Sequence, residues 1–239
     1  MISNPACGSA SCCLPALLHT TRPRTPTSGI HSLWVTDRSV AGMPWFDAPT
    51  VLGALAAATR HVRIGTSALV LPRRDPIHVA HALATVDHLS EGRLSTGVGV
   101  GNSAMSAAEF EIAGVDAAQC GRLTDEYLDL LRGPWATDSV DHKGDGWRCF
   151  GVSLAPKPAR PVSVWGGGSM PASRWRAGRA GDGWLAVFSS PARFAAERAE
   201  VGEAARSHAR DAASLVPAAY LFGAIGEDGT TSRYALDRA

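Results

Sequence analysis

The chain predicts an α/β fold of the (β/α)8 TIM-barrel type, and three observations carry that reading. Short β-branched runs alternate with alanine-rich helical patterns from residue 28 onward. The helical patterns are long enough to require parallel pairing through right-handed crossovers. The repetition of the unit, six strands deep, favours a barrel over an open doubly wound sheet. At 239 residues the chain can bury one large core, so a single domain is expected.

Each element has its own signal. "SLWVTDR" (32–38) has strand composition and leads to "DAPTVLGALAAATRH" (47–61), where Asp47 can cap and Pro49 suits a first helical turn. The strand at 62–71 is followed by a helix at 75–93 with Ile77, Val79, Ala80, Leu83, Val86 and Leu89 on its apolar face and Gly92 as its stop. "LSTGVGVG" (94–101) is the third strand, and the amphipathic "RLTDEYLDLLRGPW" (122–135) ends at Gly133-Pro134. Residues 138–158 read as an excursion in the form of a hairpin. The core then resumes with a strand at 161–168, a helix at 170–181, a strand at 183–188, a long helix at 190–210 and a strand at 216–225.

This count is incomplete at both ends of a barrel, with an atypical first unit and no visible last strand. Residues 1–27, rich in proline and carrying three cysteines, form an atypical N-terminal segment that is a candidate for disorder; 28–239 form the single barrel domain.

Composition narrows the function. A formal net charge of +1 provides no field for nucleic acid or an anionic membrane surface, so a small-molecule substrate is expected as partner. Five cysteines, Cys7, Cys12, Cys13, Cys120 and Cys149, are odd in number and lack the second cluster that a zinc site needs, which fits a reducing cytoplasm. No apolar run is long enough to span a bilayer, and no signal-peptide pattern opens the chain. His78, His81 and His88 on one helix read as a polar edge rather than as metal ligands, and no metal is expected.

In a parallel barrel the working residues follow the strands. Here these are Asp37-Arg38, "LPRRD", Gly99-Val100-Gly101-Asn102, Gly166-Gly167-Gly168-Ser169 and Ser189-Ser190. The "GGGS" turn ahead of a helix suits an anion such as phosphate, or else is a tight turn needing positive φ. "GVGVGNS" lacks the last glycine of a dinucleotide fingerprint and is read as close backbone approach to a flat ligand. No residue stands out as catalytic. Arg73 and Arg74 are left open between an anionic ligand and solvent.

Taken in order, "SLWVTDR", "ATRHVRIGTSALVLPRRDPIHVAHALATVDHLSEGRLSTGVGVG", "RLTDEYLDLLRGPW", "LAPKPARPVSVWGGGS" and "AGRAGDGWL" resemble the luciferase-like monooxygenase superfamily, most closely its F420-dependent oxidoreductase branch. The resemblance implies a barrel binding coenzyme F420, or alternatively FMN, with a homodimer as the common assembly. It implies a non-prolyl cis peptide at or beside Ser67-Ala68 backing the ring, Gly99, Gly101 and Asn102 along the cofactor, Gly166, Gly167, Gly168 and Ser169 at its phosphate, and Asp37 near the ring. Members that oxidise a sugar phosphate carry a histidine and a glutamate where this chain has Arg38 and Asn102. Neither can act as a base at neutral pH, so a hydride-transferring reductase is the expected activity. The alternatives are an FMN-dependent monooxygenase and a degenerate, non-catalytic relative.

Overall fold

The computed structural model describes residues 30–39, 45–101 and 106–220. The atypical segment 1–27 and the end of the strand expected at 216–225 lie outside these residues. The chain divides into two compact units, 1–164 and 165–239.

The first unit contains β1 (Ser32–Val35), α1 (Ala48–Ala58), β2 (Arg63–Val70), α2 (Pro76–Leu89), β3 (Leu94–Gly99), α3 (Ala107–Ile112), α4 (Cys120–Ala136) and the strands β4 (Val140–Lys143) and β5 (Arg148–Val152). β1, β2 and β3 are parallel neighbours, with Ser32 opposite Arg63 and Ile64 opposite Leu94. β4 and β5 pair antiparallel, so the expected excursion is a hairpin. The second unit is built from β6 (Ser163–Gly167), whose first two residues precede the division, α5 (Pro171–Ala180), β7 (Gly183–Val187), α6 (Pro191–Ser207) and β8 (Val216–Tyr220). β6, β7 and β8 are again parallel, with Trp165 opposite Gly183 and Gly183 opposite Val216.

The helices begin where the sequence places a cap and a proline. Asp47 accepts from the Thr50 N–H, Asp75 from the Ile77 and His78 N–H groups, and Ser190 from the Arg193 N–H, each ahead of a proline in the first turn. α2 ends at Leu89, and Glu91 and Gly92, both at positive φ, turn the chain so that the Gly92 N–H reaches the Asp87 carbonyl. Leu52, Leu55, Ile64, Leu69, Leu83, Leu94 and Leu131 are almost wholly buried in the first unit, each contributing about 1.5–3 kcal/mol of apolar burial.

Three expectations shift. Leu89 is exposed, because the helix ends there and its last turn rotates off the core. α3 lies in a stretch that carried no helical signal. α4 starts at Cys120 and runs through Pro134 to Ala136. Pro134 removes one N–H from the last turn, but its ring is buried and the Thr137 N–H closes on the Gly133 carbonyl, so the helix survives it.

Arg93 ties this unit together. Its guanidinium donates to the Ala56, Thr59, Val62 and Ser90 carbonyls and to the Thr59 hydroxyl, all within 3.1 Å, joining the end of α1 to the cap of α2. Replacing Arg93 by alanine strands these acceptors, and we expect a loss of about 2–3 kcal/mol, read as a lower urea midpoint at unchanged slope.

Glu126 on α4 plays the same part for the hairpin. Its carboxylate accepts from the Gly146 and Trp147 N–H groups at 3.0 and 2.8 Å and lies 3.0 Å from His142 Nε2. Burial alone would push its carboxyl up, but the Gly146 N–H, His142 and the Trp147 N–H outweigh it and hold it below the usual glutamate range. A carboxyl lowered by folding stabilises the fold above its unfolded value of about 4.3, and that contribution fades as pH falls through the lower folded value. Glu126→Gln should therefore lower stability at neutral pH and flatten its fall below about pH 4.3, measured by denaturation across pH.

Candidate functional site

At the end of β1 the chain delivers Asp37 into a buried position, and the C-terminal end of β2 closes on it. Its carboxylate accepts from the Val70 N–H at 3.0 Å, from Arg73 at 3.0 Å and from Arg74 at 2.7 Å. Arg73 reaches Glu109 of α3 at 2.6 Å, and Glu109 in turn accepts from the Ser39 N–H at 2.6 Å. Arg74 also reaches Asp47, the cap of α1, at 2.9 Å. Burial opposes the Arg74 charge, but Asp37 and Asp47 outweigh it and raise its basicity. Arg73, left open between ligand and solvent, is almost fully buried and serves this network, and Arg74 joins it from a partly exposed position.

The network is anchored to β2 at Val70, two residues beyond Ala68. The Ser67-Ala68 peptide is cis, and the β2–β3 register shifts between Thr66 and Leu69. Gly99 lies opposite Val70, and a Cβ added to it would come 3.2 Å from the Ala68 Cβ. Asp37, Ser67, Ala68 and Gly99 thus lie toward the C-terminal ends of β1, β2 and β3, with Asp37 buried and the other three partly exposed. Gly101 has a different reason to be glycine. It sits at φ +80, and a Cβ there would come 2.7 Å from the Phe110 ring. Its place is fixed by that turn and by the packing of α3, whereas a Cβ at Gly99 would meet only the Ala68 methyl. Asn102 lies outside the described residues.

In the second unit the glycine turn after β6 has mixed duties. A Cβ on Gly166 would come 2.6 Å from the Ala177 Cβ, so this glycine lets α5 pack on the strand. Gly168, at φ +132, donates its N–H to the Leu185 carbonyl. α5 opens at Pro171 with no side-chain cap; the Ser173 and Arg174 N–H groups bond the Met170 carbonyl, and Pro171 has no N–H to offer. Arg174 donates to the Ser169 carbonyl and is neutralised by Glu197 at 3.1 Å and Glu200 at 2.7 Å. Buried Glu197 also takes the Ser189 hydroxyl and Arg193, binding the turn after β7 to α6.

Sequence reasoning missed Glu109, Arg174 and Glu197. Only Glu197 had a signal, its i, i+4 spacing from Arg193. Phe188, one residue past β7, was missed too: it stands at φ +52, a conformation costing a bulky L-residue about 1–2 kcal/mol. The histidines are engaged at the surface, His78 with Asp75 and His88 with the Lys157 carbonyl. Burial pushes the Cys120 and Cys149 thiols up, away from nucleophilic form.

A family model described as luciferase-like monooxygenase matches residues 26–234. The chain belongs to this family. Its β/α units are accordingly those of a TIM-type barrel. An uncharacterised protein of Mycobacterium tuberculosis is 36% identical over 165 residues, covering 67% of this chain and 55% of its own length. An F420-dependent glucose-6-phosphate dehydrogenase of Amycolatopsis mediterranei is 34% identical over 174 residues, covering 68% and 50%. The chain thus spans about half the length of these curated relatives. Among solved structures, an F420-dependent secondary alcohol dehydrogenase in complex with an F420-acetone adduct aligns with a TM-score of 0.77 at 25% identity, covering 86% of this chain and 64% of that one. The monooxygenase RslO1 from Streptomyces bottropensis aligns with a TM-score of 0.83 at 25% identity, covering 99% and 73%.

Within this luciferase-like barrel, Asp37→Asn would leave Arg73 and Arg74 partly uncompensated inside the protein. We expect a loss of roughly 3 kcal/mol, visible as a lower Tm, that Asp37→Glu does not restore because the longer side chain cannot keep the Val70 N–H and both guanidinium groups in reach.

Proposed function

We propose that the chain is an oxidoreductase that binds coenzyme F420 and uses it for hydride transfer with a small organic substrate, acting as a reductase. The observation that carries this reading is the cis peptide at Ser67-Ala68 with Gly99 close to it, on a strand whose Val70 N–H is held by the buried Asp37. Two similar proteins named for F420 supply the cofactor. In its reduced form that cofactor supplies a hydride. Asp37 is a positioning residue, since its carboxylate is turned into the protein. The turn from Gly167 to Ser169 is the anion-binding turn for the phosphate, with the Gly168 N–H spent on the Leu185 carbonyl and Gly166 seating the helix behind it.

The direction of transfer follows from Arg38 and Asn102. A guanidinium stays protonated and an amide does not titrate, so neither takes a proton from an alcohol. Reduction of an activated alkene or imine needs no such base; it needs the acceptor held in line. The similarity to a monooxygenase favours FMN as the second reading.

Fluorescence titration with F420 and with FMN separates these readings. Saturable F420 binding is the expected result; preference for FMN supports the monooxygenase, and binding of neither supports a non-catalytic relative. Gly167→Asp, which places a carboxylate at the turn, should weaken F420 binding at least about tenfold with circular dichroism unchanged. Unchanged affinity would remove the turn from the cofactor site.

A further inference from the structure

The C-terminal ends of β6, β7 and β8 carry a feature that holding a cofactor phosphate does not explain. Phe188 follows β7 in the left-handed region at φ +52, and its N–H is bonded to the Tyr220 carbonyl at the end of β8. Its ring packs against the Tyr220 ring with centroids 5.5 Å apart and planes tilted by 56°. Despite this contact Phe188 remains half exposed. A bulky residue held in a disfavoured backbone conformation to present an apolar ring to solvent is costly on two counts, and such strain is retained where the position of the side chain matters. An exposed aromatic ring held at the C-terminal end of a parallel sheet marks a ligand surface.

The charges around them select the ligand. Arg174, the cation bonded to the glycine turn, is neutralised by Glu197 and Glu200, and the Ser189 hydroxyl is bound to Glu197. This end of the unit therefore presents rings with its nearby carboxylate and guanidinium groups already paired.

We infer that Phe188 and Tyr220 form the seat of the substrate, and that this substrate is a flat, uncharged, conjugated carbonyl compound. Aromatic faces pack well on such a ring and offer nothing to a sugar phosphate. The inference rests on the proposed reductase reading for its redox partner, but the binding surface can be tested without it.

Coumarin is a suitable probe, being flat, uncharged and conjugated. Calorimetry on the whole chain, with and without F420, should show coumarin binding and no binding of glucose 6-phosphate. Phe188→Gly relieves the left-handed backbone while deleting the ring, so Tm should hold or rise while coumarin affinity falls at least about tenfold and F420 affinity changes less than about twofold. Phe188→Tyr should keep coumarin affinity. A fall in Tm with Phe188→Gly would assign the ring to packing, and a matching loss of F420 affinity would assign it to the cofactor; either overturns the inference, as does unchanged coumarin affinity. A chain that binds coumarin through Phe188 but does not bind F420 would support the seat and defeat the reductase reading.

Discussion

The first unit depends on the burial of Asp37 between two arginines. Moving one carboxylate out of water costs several kcal/mol, and the fold offsets this only by bringing Arg73, Arg74 and the Val70 N–H to it together. That requirement fixes where β2 stops and how the "LPRR" turn runs. Arg73, once there, needs a second anion, which draws Glu109 and with it α3. Arg74 needs another, which is supplied by the cap of α1. One buried charge thus sets the positions of two helices and two strand ends.

The second unit solves the same problem with the same arrangement of signs. Glu197 is the buried charge, and Arg174, Arg193 and the Ser189 hydroxyl answer it. In both units the polar side chains behind the strand ends are used up in bonding one another. Partly exposed near these nodes are Ser67, Ala68 and Gly99 in the first unit and Phe188 in the second. Such a surface binds by shape and by fixed N–H groups, which demands rigidity, and the two ionic nodes supply it.

Much of this was legible in the sequence. The strand and helix order, the caps at Asp47, Asp75 and Ser190, and the hairpin after α4 follow from local chemistry, because each needs only neighbours a few residues away. The cis peptide at Ser67-Ala68 came from the resemblance of the "GTSALVL" strand to its family rather than from any propensity of serine or alanine. The ionic nodes were not legible. Asp37 and Arg73 lie 36 positions apart and Arg73 and Glu109 as many again, so nothing in their spacing shows that they meet. The glycines differ in a way the sequence does not show: one beside Ala68, one that admits Phe110 and one that admits Ala177 look alike until the neighbours are placed.

The charge count of the two nodes bears on how an anionic ligand would be held. Asp37, Asp47 and Glu109 face Arg73 and Arg74; Glu197 and Glu200 face Arg174 and Arg193. Neither set has positive charge to spare. A phosphate at the glycine turn would then draw its affinity from turn N–H groups other than those of Gly168 and Ser173, which are bonded within the protein, each such hydrogen bond to a charged group contributing about 1.5–3 kcal/mol, and little from arginine. Changing the shape of the turn should therefore matter more to anion affinity than deleting a nearby arginine. An arginine deletion would act through the fold, by freeing the carboxylate it covers.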